Sequence, residues 1–181
     1  LKKYENIKKI NITYLKKNKG PHFCRNLALR KSSSEYIAFL DSDDYWSENK
    51  LSEQIKFMIS NDYSFSFSDY FSFFQNNSSK LRSTNIKSKF SFEDFINNSS
   101  INSSTMILKK KIIGFTKFKK IKHEDYLFKC EILKKEILAF KIKKLFVYYR
   151  INKKNRSSNK LLNLISLWKI NKYYNNLNFI H

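Results

Sequence analysis

The sequence predicts an α/β fold, in which short apolar strands alternate with amphipathic helices. Residues 36–40 form a continuous apolar run, which is typical of a strand buried on both faces of a parallel sheet. Residues 51–59 instead carry apolar side chains every three or four positions, which is the spacing of one helix face. Because a chain of 181 residues can bury one sizeable core, we expect a single main domain.

The first sixty residues predict a strand, a turn and two helices around the apolar run. Residues 10–14 alternate apolar and polar side chains, as a half-buried strand does. Gly20 and Pro21 mark a turn before a helix over residues 23–31. Ser47 is a candidate N-cap for the second helix.

Periodicity and capping predict the later elements. Residues 64–68 alternate serine and phenylalanine, which favours a strand. Ser91 and Asp94 have the spacing of a capping box, with Asp in place of Glu. The remaining predictions are loops over residues 76–88 and 150–160, strands over residues 105–108 and 142–149, and helices over residues 123–136 and 161–174.

The chain carries 36 Lys and Arg against 15 Asp and Glu, a net charge of +21. Because 31 of the basic residues are Lys, two explanations stay open: the compositional bias of an A- and T-rich genome, or attraction to an anionic partner. An aromatic content of 17% argues against a disordered basic tail. No apolar run reaches the roughly 18 residues of a membrane span. Two cysteines without a CxxC spacing favour a reducing setting.

Three carboxylates, those of Asp41, Asp43 and Asp44, follow the apolar run. Ligands of open α/β sheets bind beyond the carboxyl ends of strands, and clustered carboxylates repel one another unless a cation offsets their charge. Their oxygens favour Mg²⁺ or Mn²⁺ over Zn²⁺. The alternative that the local sequence leaves open is an acidic turn that stabilises the N-terminus of the following helix.

Spacing tests two other interpretations of this cluster. A calcium-binding EF-hand loop requires Gly at its sixth position and Glu at its twelfth, where this chain has Trp46 and Ser52. That interpretation is excluded. A phosphatase with an aspartate nucleophile also has Asp-x-Asp after an apolar strand, but the bulky Tyr45 and Trp46 that follow make it a weak alternative.

The order of these motifs resembles the family-2 glycosyltransferases of bacteria. In that family an Arg-Asn pair near a helix start precedes a Glu-Tyr-Ile turn into a strand. That strand ends in Asp-Ser-Asp-Asp, followed by an aromatic pair and Lys-Leu. The matching residues here are Arg25-Asn26, Glu35-Tyr36-Ile37, Asp41-Ser42-Asp43-Asp44, Tyr45-Trp46, Lys50-Leu51, Ser104-Thr105-Met106, Glu124-Asp125-Tyr126 and Tyr149-Arg150. The resemblance runs in order over residues 10–160.

The resemblance implies an A-type glycosyltransferase fold that transfers a sugar from a nucleotide donor with inversion. Such enzymes usually begin with a strand, a helix and a second strand ending in Asp-Asp-Gly-Ser, and we expect this N-terminal unit to be absent, so that the fold is truncated. Residues 1–160 are accordingly expected to form the glycosyltransferase domain, incomplete at its N-terminus. Residues 161–181 are expected to form a C-terminal amphipathic helix and tail.

The resemblance also implies the donor-binding residues. Asp41 and Asp43 match the family's Asp-x-Asp motif, and Asp44 adjoins it. Asp43 and Asp44 are the expected ligands of Mn²⁺ or Mg²⁺, which neutralises the charge on the leaving diphosphate, and Asp41 is expected to contact the metal or the ribose. Arg25, Asp41 and Asp43 are expected to bind the donor, since Arg forms paired hydrogen bonds to phosphate oxygens. From its local sequence, Arg25 is equally explained as an exposed helix residue.

The catalytic residues are implied by the second acidic motif. Asp125 matches the base that takes the proton of the acceptor hydroxyl, and Glu124 is the next candidate. From the local sequence alone both acids have another explanation, because acidic residues favour a helix N-terminus. Ser104 and Thr105 either face the acceptor or mark the entry of a strand.

These inferences predict an enzyme of surface polysaccharide, lipopolysaccharide or capsule biosynthesis. Its expected substrates are a nucleotide-diphospho-sugar donor, most simply a UDP-sugar, and a saccharide or lipid-linked saccharide acceptor. The lysine-rich surface and the terminal helix suit an anionic membrane surface at the cytoplasmic face of the cell membrane. Two alternatives stay open: an inactive truncated remnant, and a basic nucleic-acid-binding module. We expect no nucleic-acid partner, because the sequence has no Lys/Arg stripe interleaved with aromatic residues.

Overall fold

A computed structural model of the protein describes residues 10–74, 87–151 and 160–177. These residues form six helices and six strands. The helices are α1 (Pro21–Lys31), α2 (Lys50–Ser60), α3 (Phe92–Asn97), α4 (Lys110–Ile113), α5 (Glu124–Leu133) and α6 (Lys160–Tyr173). The strands are β1 (Tyr36–Ala38), β2 (Tyr45–Trp46), β3 (Phe65–Phe74), β4 (Lys89–Phe90), β5 (Ile107–Lys109) and β6 (Ala139–Ile151). A 3₁₀ turn, Ser103–Thr105, precedes β5.

The strands form one mixed sheet in the order β1–β5–β3–β6–β2, and β4 also pairs with β6. β3 and β6 run parallel, whereas β1 pairs antiparallel with β5 and β2 pairs antiparallel with β6. The parallel pairing predicted for residues 36–40 is therefore wrong. The two faces of the run are also unequally covered, since Ile37 and Phe39 are buried while Leu40 is 47% exposed. Apolar composition reports burial but carries no information on strand direction.

β3 and β6 are the longest strands and form the centre of the sheet. The strand predicted over residues 64–68 is confirmed and continues to Phe74. The predicted extended segment 142–149 lies within β6. The register between the two strands shifts around Asp69, and such an irregularity bends the strand that carries it.

The main core lies against α5. Leu127, Phe128 and Leu133 on this helix are each at most 1% exposed. Phe128 stacks on Phe118 with a centroid separation of 4.0 Å, and Phe39 meets Phe118 edge-on at 5.4 Å. The buried side of α5 thus fixes the position of its first turn in the fold.

Two capping predictions and the first strand prediction have different outcomes. The capping box is confirmed: Ser91 Oγ accepts from the Asp94 amide and the Asp94 carboxylate accepts from the Ser91 amide, both at 3.2 Å. The strand predicted over residues 10–14 is wrong, because four of these five residues lie exposed and none pairs with a strand among the described residues. Ser47 is not the N-cap of α2, which begins after Asn49.

The predicted C-terminal helix is confirmed as α6. One side packs on α5, where Tyr126 Oη donates to Asn171 Oδ1 at 2.8 Å and Ile170 is 3% exposed. None of the helices in the described residues is both long and apolar enough to cross a bilayer. The predicted loops over residues 76–88 and 150–160 lie mostly outside the described residues.

Candidate active site

A cavity of about 700 Å³ opens beside the acidic loop, which we define as residues 41–46, and the first turn of α5. The structure brings five of the six predicted site residues to its wall: Arg25, Asp41, Asp43, Glu124 and Asp125. The sixth, Asp44, is turned away from it. The cavity therefore collects residues from α1, from the loop after β1 and from α5.

The acidic loop points its carboxylates in different directions. The Asp41 side chain is 37% exposed and Asp43 is exposed, whereas Asp44 is only 8% exposed. A tight turn gives Asp44 a direction different from that of Asp41 and Asp43, and in this turn the Asp44 amide donates to the Asp41 carbonyl at 3.0 Å. The chain then pairs with β6 through β2, so alternate side chains turn inward and outward.

Both carboxylate oxygens of Asp44 have hydrogen-bond partners. Oδ2 accepts from Ser104 Oγ at 2.6 Å, and Oδ1 accepts from the Arg150 amide at 3.1 Å. Burial raises the pKa of the Asp44 carboxyl, and the negative charges of Asp41 and Asp43 add to the rise, while the two hydrogen bonds oppose it.

Arg25 connects the two acidic motifs. Its guanidinium donates to Asp41 Oδ1 at 2.5 Å and to Glu124 Oε1 at 3.1 Å. The Arg25 side chain is 16% exposed and the Glu124 side chain 8%. The interpretation of Arg25 as an exposed helix residue is therefore wrong, because the guanidinium is the cation between two carboxylates.

Asp125 lies in the first turn of α5, with its side chain 33% exposed. Its Oδ2 accepts from Ser103 Oγ at 3.1 Å and from Lys129 Nζ at 2.9 Å. Desolvation alone would raise the pKa of the Asp125 carboxyl. The charge and hydrogen bond of Lys129, the charge of Arg25 and the hydrogen bond of Ser103 outweigh desolvation and hold this pKa well below its ordinary value. Asp125 is thus an ionised carboxylate at the cavity wall.

Sequence reasoning missed two contributors to this arrangement. Lys129, which is 3% exposed, is the counter-ion of Asp125. The two residues lie four positions apart on a predicted helix, and this spacing is a sequence signal for an ion pair. Ser103 carried no local signal, because its bond to Asp125 spans 22 residues. Ser104 and Thr105 are fully buried, so the interpretation that they face the acceptor is wrong.

The carboxylates at the cavity suit a metal ion whose coordination is completed by a bound phosphate group. Among the described residues, no three acidic, histidine or cysteine side chains converge closely enough to hold an ion by themselves. Asp41 and Asp43 nevertheless both line the cavity. Mg²⁺ is usually held by one or two carboxylates together with substrate phosphates and water. The two carboxylates therefore fit a divalent ion that is shared with a diphosphate.

Most of this chain is similar in sequence to named proteins. WfaP of Escherichia coli, named as a UDP-Glc:alpha-D-GlcNAc-diphosphoundecaprenol beta-1,3-glucosyltransferase, is 35% identical over 164 residues, which are 88% of this chain and 63% of WfaP. WfgD of Escherichia coli has the same named activity and is 33% identical over 153 residues, covering 84% of this chain and 60% of WfgD. TuaG of Bacillus subtilis, whose name assigns it provisionally to teichuronic acid biosynthesis, is 29% identical over 182 residues, covering 99% of this chain and 72% of TuaG. The chain thus spans 60 to 72% of the length of these relatives.

Solved structures share the fold. Staphylococcus aureus TarS, residues 1–349 in complex with UDP, matches with a TM-score of 0.67 and 20% identity, covering 84% of this chain and 46% of that one. The complex of the same protein with UDP-GlcNAc matches with a TM-score of 0.68, covering 87% of this chain and 47% of that one. This likeness and the mixed sheet confirm the A-type glycosyltransferase fold. The profile of the family described as Glycosyl transferase family 2 matches residues 1–138. The chain therefore belongs to glycosyl transferase family 2.

Proposed function

We propose that the chain transfers a sugar from a nucleotide-diphospho-sugar to an acceptor hydroxyl with inversion at the anomeric carbon. The observation that carries the proposal is the cavity that holds Asp41, Asp43 and Asp125. Arg25 joins the two acidic motifs there, because its guanidinium donates to Asp41 and to Glu124, the neighbour of Asp125. The carboxylates of the acidic loop suit a diphosphate with its divalent ion, and the carboxylate of Asp125 suits removal of a proton.

The donor side of the proposal rests on Asp41, Asp43 and Arg25. Asp41 and Asp43 face the cavity, so they would hold Mn²⁺ or Mg²⁺ together with the diphosphate oxygens. The ion, when bound, supplies a Lewis acid that neutralises the charge on the leaving diphosphate. Asp44 stays a predicted third ligand, although both of its oxygens are hydrogen-bonded within the protein. Arg25 lies beside Asp41 and adds a positive charge to the same wall.

The acceptor side of the proposal rests on Asp125. In a single displacement the acceptor oxygen bonds to the anomeric carbon while the bond from that carbon to the diphosphate oxygen breaks. The electron pair of the broken bond leaves with the nucleoside diphosphate, and the hydroxyl proton moves to the Asp125 carboxylate. Because its pKa is held low, Asp125 is ionised at neutral pH and has a vacant site for that proton, while the same shift lowers its affinity for the proton. Within the described residues, hydrogen bonds reach its Oδ2 alone, which leaves Oδ1 to meet the hydroxyl.

The relatives support the substrate class. WfaP and WfgD are named for transfer from UDP-Glc to a sugar on a diphosphoundecaprenol lipid. Two TarS structures contain UDP or UDP-GlcNAc. We therefore include a UDP-sugar donor, a lipid-linked saccharide acceptor and surface polysaccharide biosynthesis in the proposal.

A lipid-linked acceptor suits the exposed side of α6. Leu161, Leu164, Ile165 and Trp168 lie within one helical stripe and are 41 to 67% exposed. Lys172 lies beside this stripe, with its Nζ 4.9 Å from the Trp168 ring. An apolar stripe with lysines on a chain of net charge +21 fits an anionic lipid surface.

Vesicle binding tests the membrane part of the proposal. Trp168→Ser combined with Leu164→Ser should weaken binding to phosphatidylglycerol vesicles by at least about tenfold, because two exposed apolar anchors are lost. Leu51→Ser, at an exposed leucine of α2, is the matched control and should bind as the parent does. Equal binding of all three proteins would refute the assignment of α6 to the membrane.

Product analysis tests the reaction. The purified chain, incubated with UDP-glucose, Mn²⁺ and a diphosphate-linked N-acetylglucosamine acceptor, should form a glucosylated product that EDTA abolishes. NMR of the anomeric proton should show the configuration opposite to that of the donor. A product with retained configuration would contradict the single displacement. Binding of UDP without any transfer would favour the inactive remnant.

A further inference from the structure

The 3₁₀ turn Ser103–Thr105 lies between the two halves of the candidate site. All three of its residues are at most 4% exposed. Ser104 bonds to the acidic loop, and Ser103 bonds to Asp125. Adjacent serines on one turn therefore contact both acidic motifs, which are separated by about eighty residues in sequence.

Ser104 bonds to the acidic loop at three points. Its Oγ donates to Asp44 Oδ2 at 2.6 Å and accepts from the Asp41 amide at 3.2 Å. Its carbonyl accepts from Trp46 Nε1 at 2.7 Å. Because these bonds reach the first, fourth and sixth residues of the loop, the path of the loop follows from the position of Ser104.

Ser103 and its neighbours hold the base from the same side. Ser103 Oγ donates to Asp125 Oδ2 at 3.1 Å. Lys129 Nζ donates to the same carboxylate at 2.9 Å and to the Ile101 carbonyl at 2.8 Å. The segment 101–103 and the first turns of α5 are thus joined by two hydrogen bonds, and the bond between Lys129 and Asp125 lies within the helix.

The turn is itself anchored. The Asn102 side chain accepts from the Ser104 amide at 2.8 Å, and Thr105 Oγ1 donates to the Asn102 carbonyl at 2.7 Å. Gln54 Nε2 donates to the Thr105 carbonyl at 3.0 Å, which joins the turn to α2. A turn held at both ends is suited to hold other groups in place.

From these contacts we infer that Ser103 and Ser104 are positioning residues that hold the donor-binding loop and the base at a constant separation. Ser104 acts on donor binding through Asp41 and Asp44, and Ser103 acts on proton removal through Asp125. The inference rests on the proposed function for its kinetic consequences. Its structural part, the hydrogen-bonded turn, does not depend on substrate.

Hydrogen exchange tests the structural part without any ligand. Ser104→Ala removes the acceptor of the Asp41 amide, so exchange across residues 41–46 should become about tenfold faster. Ser47→Ala is the matched control, because Ser47 Oγ is buried and has no hydrogen bond among the described residues. If the alanine variant does not fold, Ser104→Cys replaces it, since a thiol is a weaker donor of similar size. Unchanged exchange in the folded variant would overturn the inference.

Kinetics separate the two serines. Ser104→Ala should raise the KM for the UDP-sugar about tenfold with kcat near the parental value. Ser103→Ala should lower kcat about tenfold with the donor KM unchanged, and Ser103→Thr, which keeps the hydroxyl, should restore kcat. Equal changes of KM and kcat in both alanine variants would overturn the inference, because the turn would then be only structural. If the parent transfers no sugar, the proposed function is refuted. Hydrogen exchange then still tests whether Ser104 holds the acidic loop in place.

Discussion

Two pairs of a carboxylate and a lysine differ in how the charges are arranged: Asp125 and Lys129 on α5, and Asp44 of the acidic loop and Lys50 at the start of α2. On α5, Asp125 and Lys129 form an ion pair at 2.9 Å. Around the loop, Asp44 and Lys50 are both buried, and among the described residues neither has an ionised partner of opposite charge in contact. Lys50 Nζ instead donates to Gln54 Oε1 at 2.9 Å and lies 4.4 Å from the Trp46 ring.

The difference sets the direction of each pKa shift. Desolvation raises the pKa of Asp44 and lowers that of Lys50 to about 7, so burial shifts both titrations toward the neutral form. The pKa of Asp125 is lowered despite desolvation, chiefly because Lys129 stabilises its charge. Burial without a counter-ion thus disfavours the charged form of a titratable group, and a counter-ion at contact distance reverses that tendency. The base of the proposed reaction is the carboxylate that has such a counter-ion.

The largest effect is expected at Asp125. Asp125→Asn removes the proton acceptor, so kcat should fall about 10²–10⁴-fold, with donor affinity near the parental value. Steady-state kinetics and calorimetry with UDP measure the two quantities. Asp62→Asn, at a carboxylate that is 92% exposed, is the matched control and should keep the parental rate. A variant that retains more than about a tenth of the rate would transfer the role of base to Glu124.

The next largest effect separates Asp43 from Asp44. Asp43→Asn should weaken Mn²⁺-dependent UDP affinity about tenfold or more, because Asp43 faces the cavity as a candidate ligand. If Asp44 acts through the loop, Asp44→Asn should lower UDP affinity less and should also change the melting temperature. Calorimetry with and without EDTA, followed by thermal melts, distinguishes the two. Equal loss of metal-dependent binding would make Asp44 a direct ligand.

Removing the counter-ion of Asp125 should move the pH dependence of the reaction. In Lys129→Met the pKa of Asp125 should rise by about 1–3 units, because the attraction is lost while desolvation remains. Because the parental pKa lies well below its ordinary value, the parental kcat–pH profile should be flat between pH 4 and 8, and the variant should show an acidic limb at the low end of that range. Lys119→Met removes a more exposed ion pair on the Glu131 side of α5 and serves as the control. A profile unchanged from the parental one would show that Asp125 is not the titrating base.

Asp44 and Asp125 should also affect folding in opposite directions on acidification. A carboxyl with a raised folded pKa, such as Asp44, contributes stability that is present below the unfolded pKa and is lost as pH rises through the folded pKa. A carboxyl with a lowered folded pKa, such as Asp125, contributes stability above the unfolded pKa and loses it as pH falls. In thermal melts between pH 3 and 7, the parent-minus-variant difference for Asp44→Asn should therefore fall as pH rises above the unfolded pKa of about 3.9, and that for Asp125→Asn should fall as pH drops below it, with opposite slopes. Slopes of the same sign would contradict the comparison.

The smallest effect is expected at Lys50. Its pKa of about 7 lies below the unfolded value, so its unfavourable charge burial is greatest below pH 7 and declines as pH rises toward the unfolded pKa. Lys50→Met should thus be more stable than the parent at pH 6, with the difference shrinking by pH 9. Chemical unfolding at the two pH values measures it. Lys56→Met, at an exposed lysine of α2, should change stability by no more than about 0.5 kcal/mol. A gain independent of pH would indicate packing as the cause.

Several features of the chain followed from local sequence. The helix predictions over residues 23–31 and 161–174 agree with α1 and α6 to within two residues. The capping box at Ser91 is also a local signal, because both of its hydrogen bonds join residues three apart. The order of the acidic motifs was enough to identify the family, since each motif is a short contiguous segment.

Other features depended on contacts between distant parts of the chain. The bond of Ser104 to Asp44 spans 60 residues, and the bond of Arg25 to Glu124 spans 99. Nothing within a helical turn of Asp44 distinguishes it from Asp43, so the inward direction of one carboxylate could not be read locally. The antiparallel pairing of β1 likewise depends on β5, seventy residues later. Sequence therefore determined the elements and the chemical groups of the site, while folding determined their directions, because periodicity reports neighbours within a few positions and direction is set by partners far along the chain.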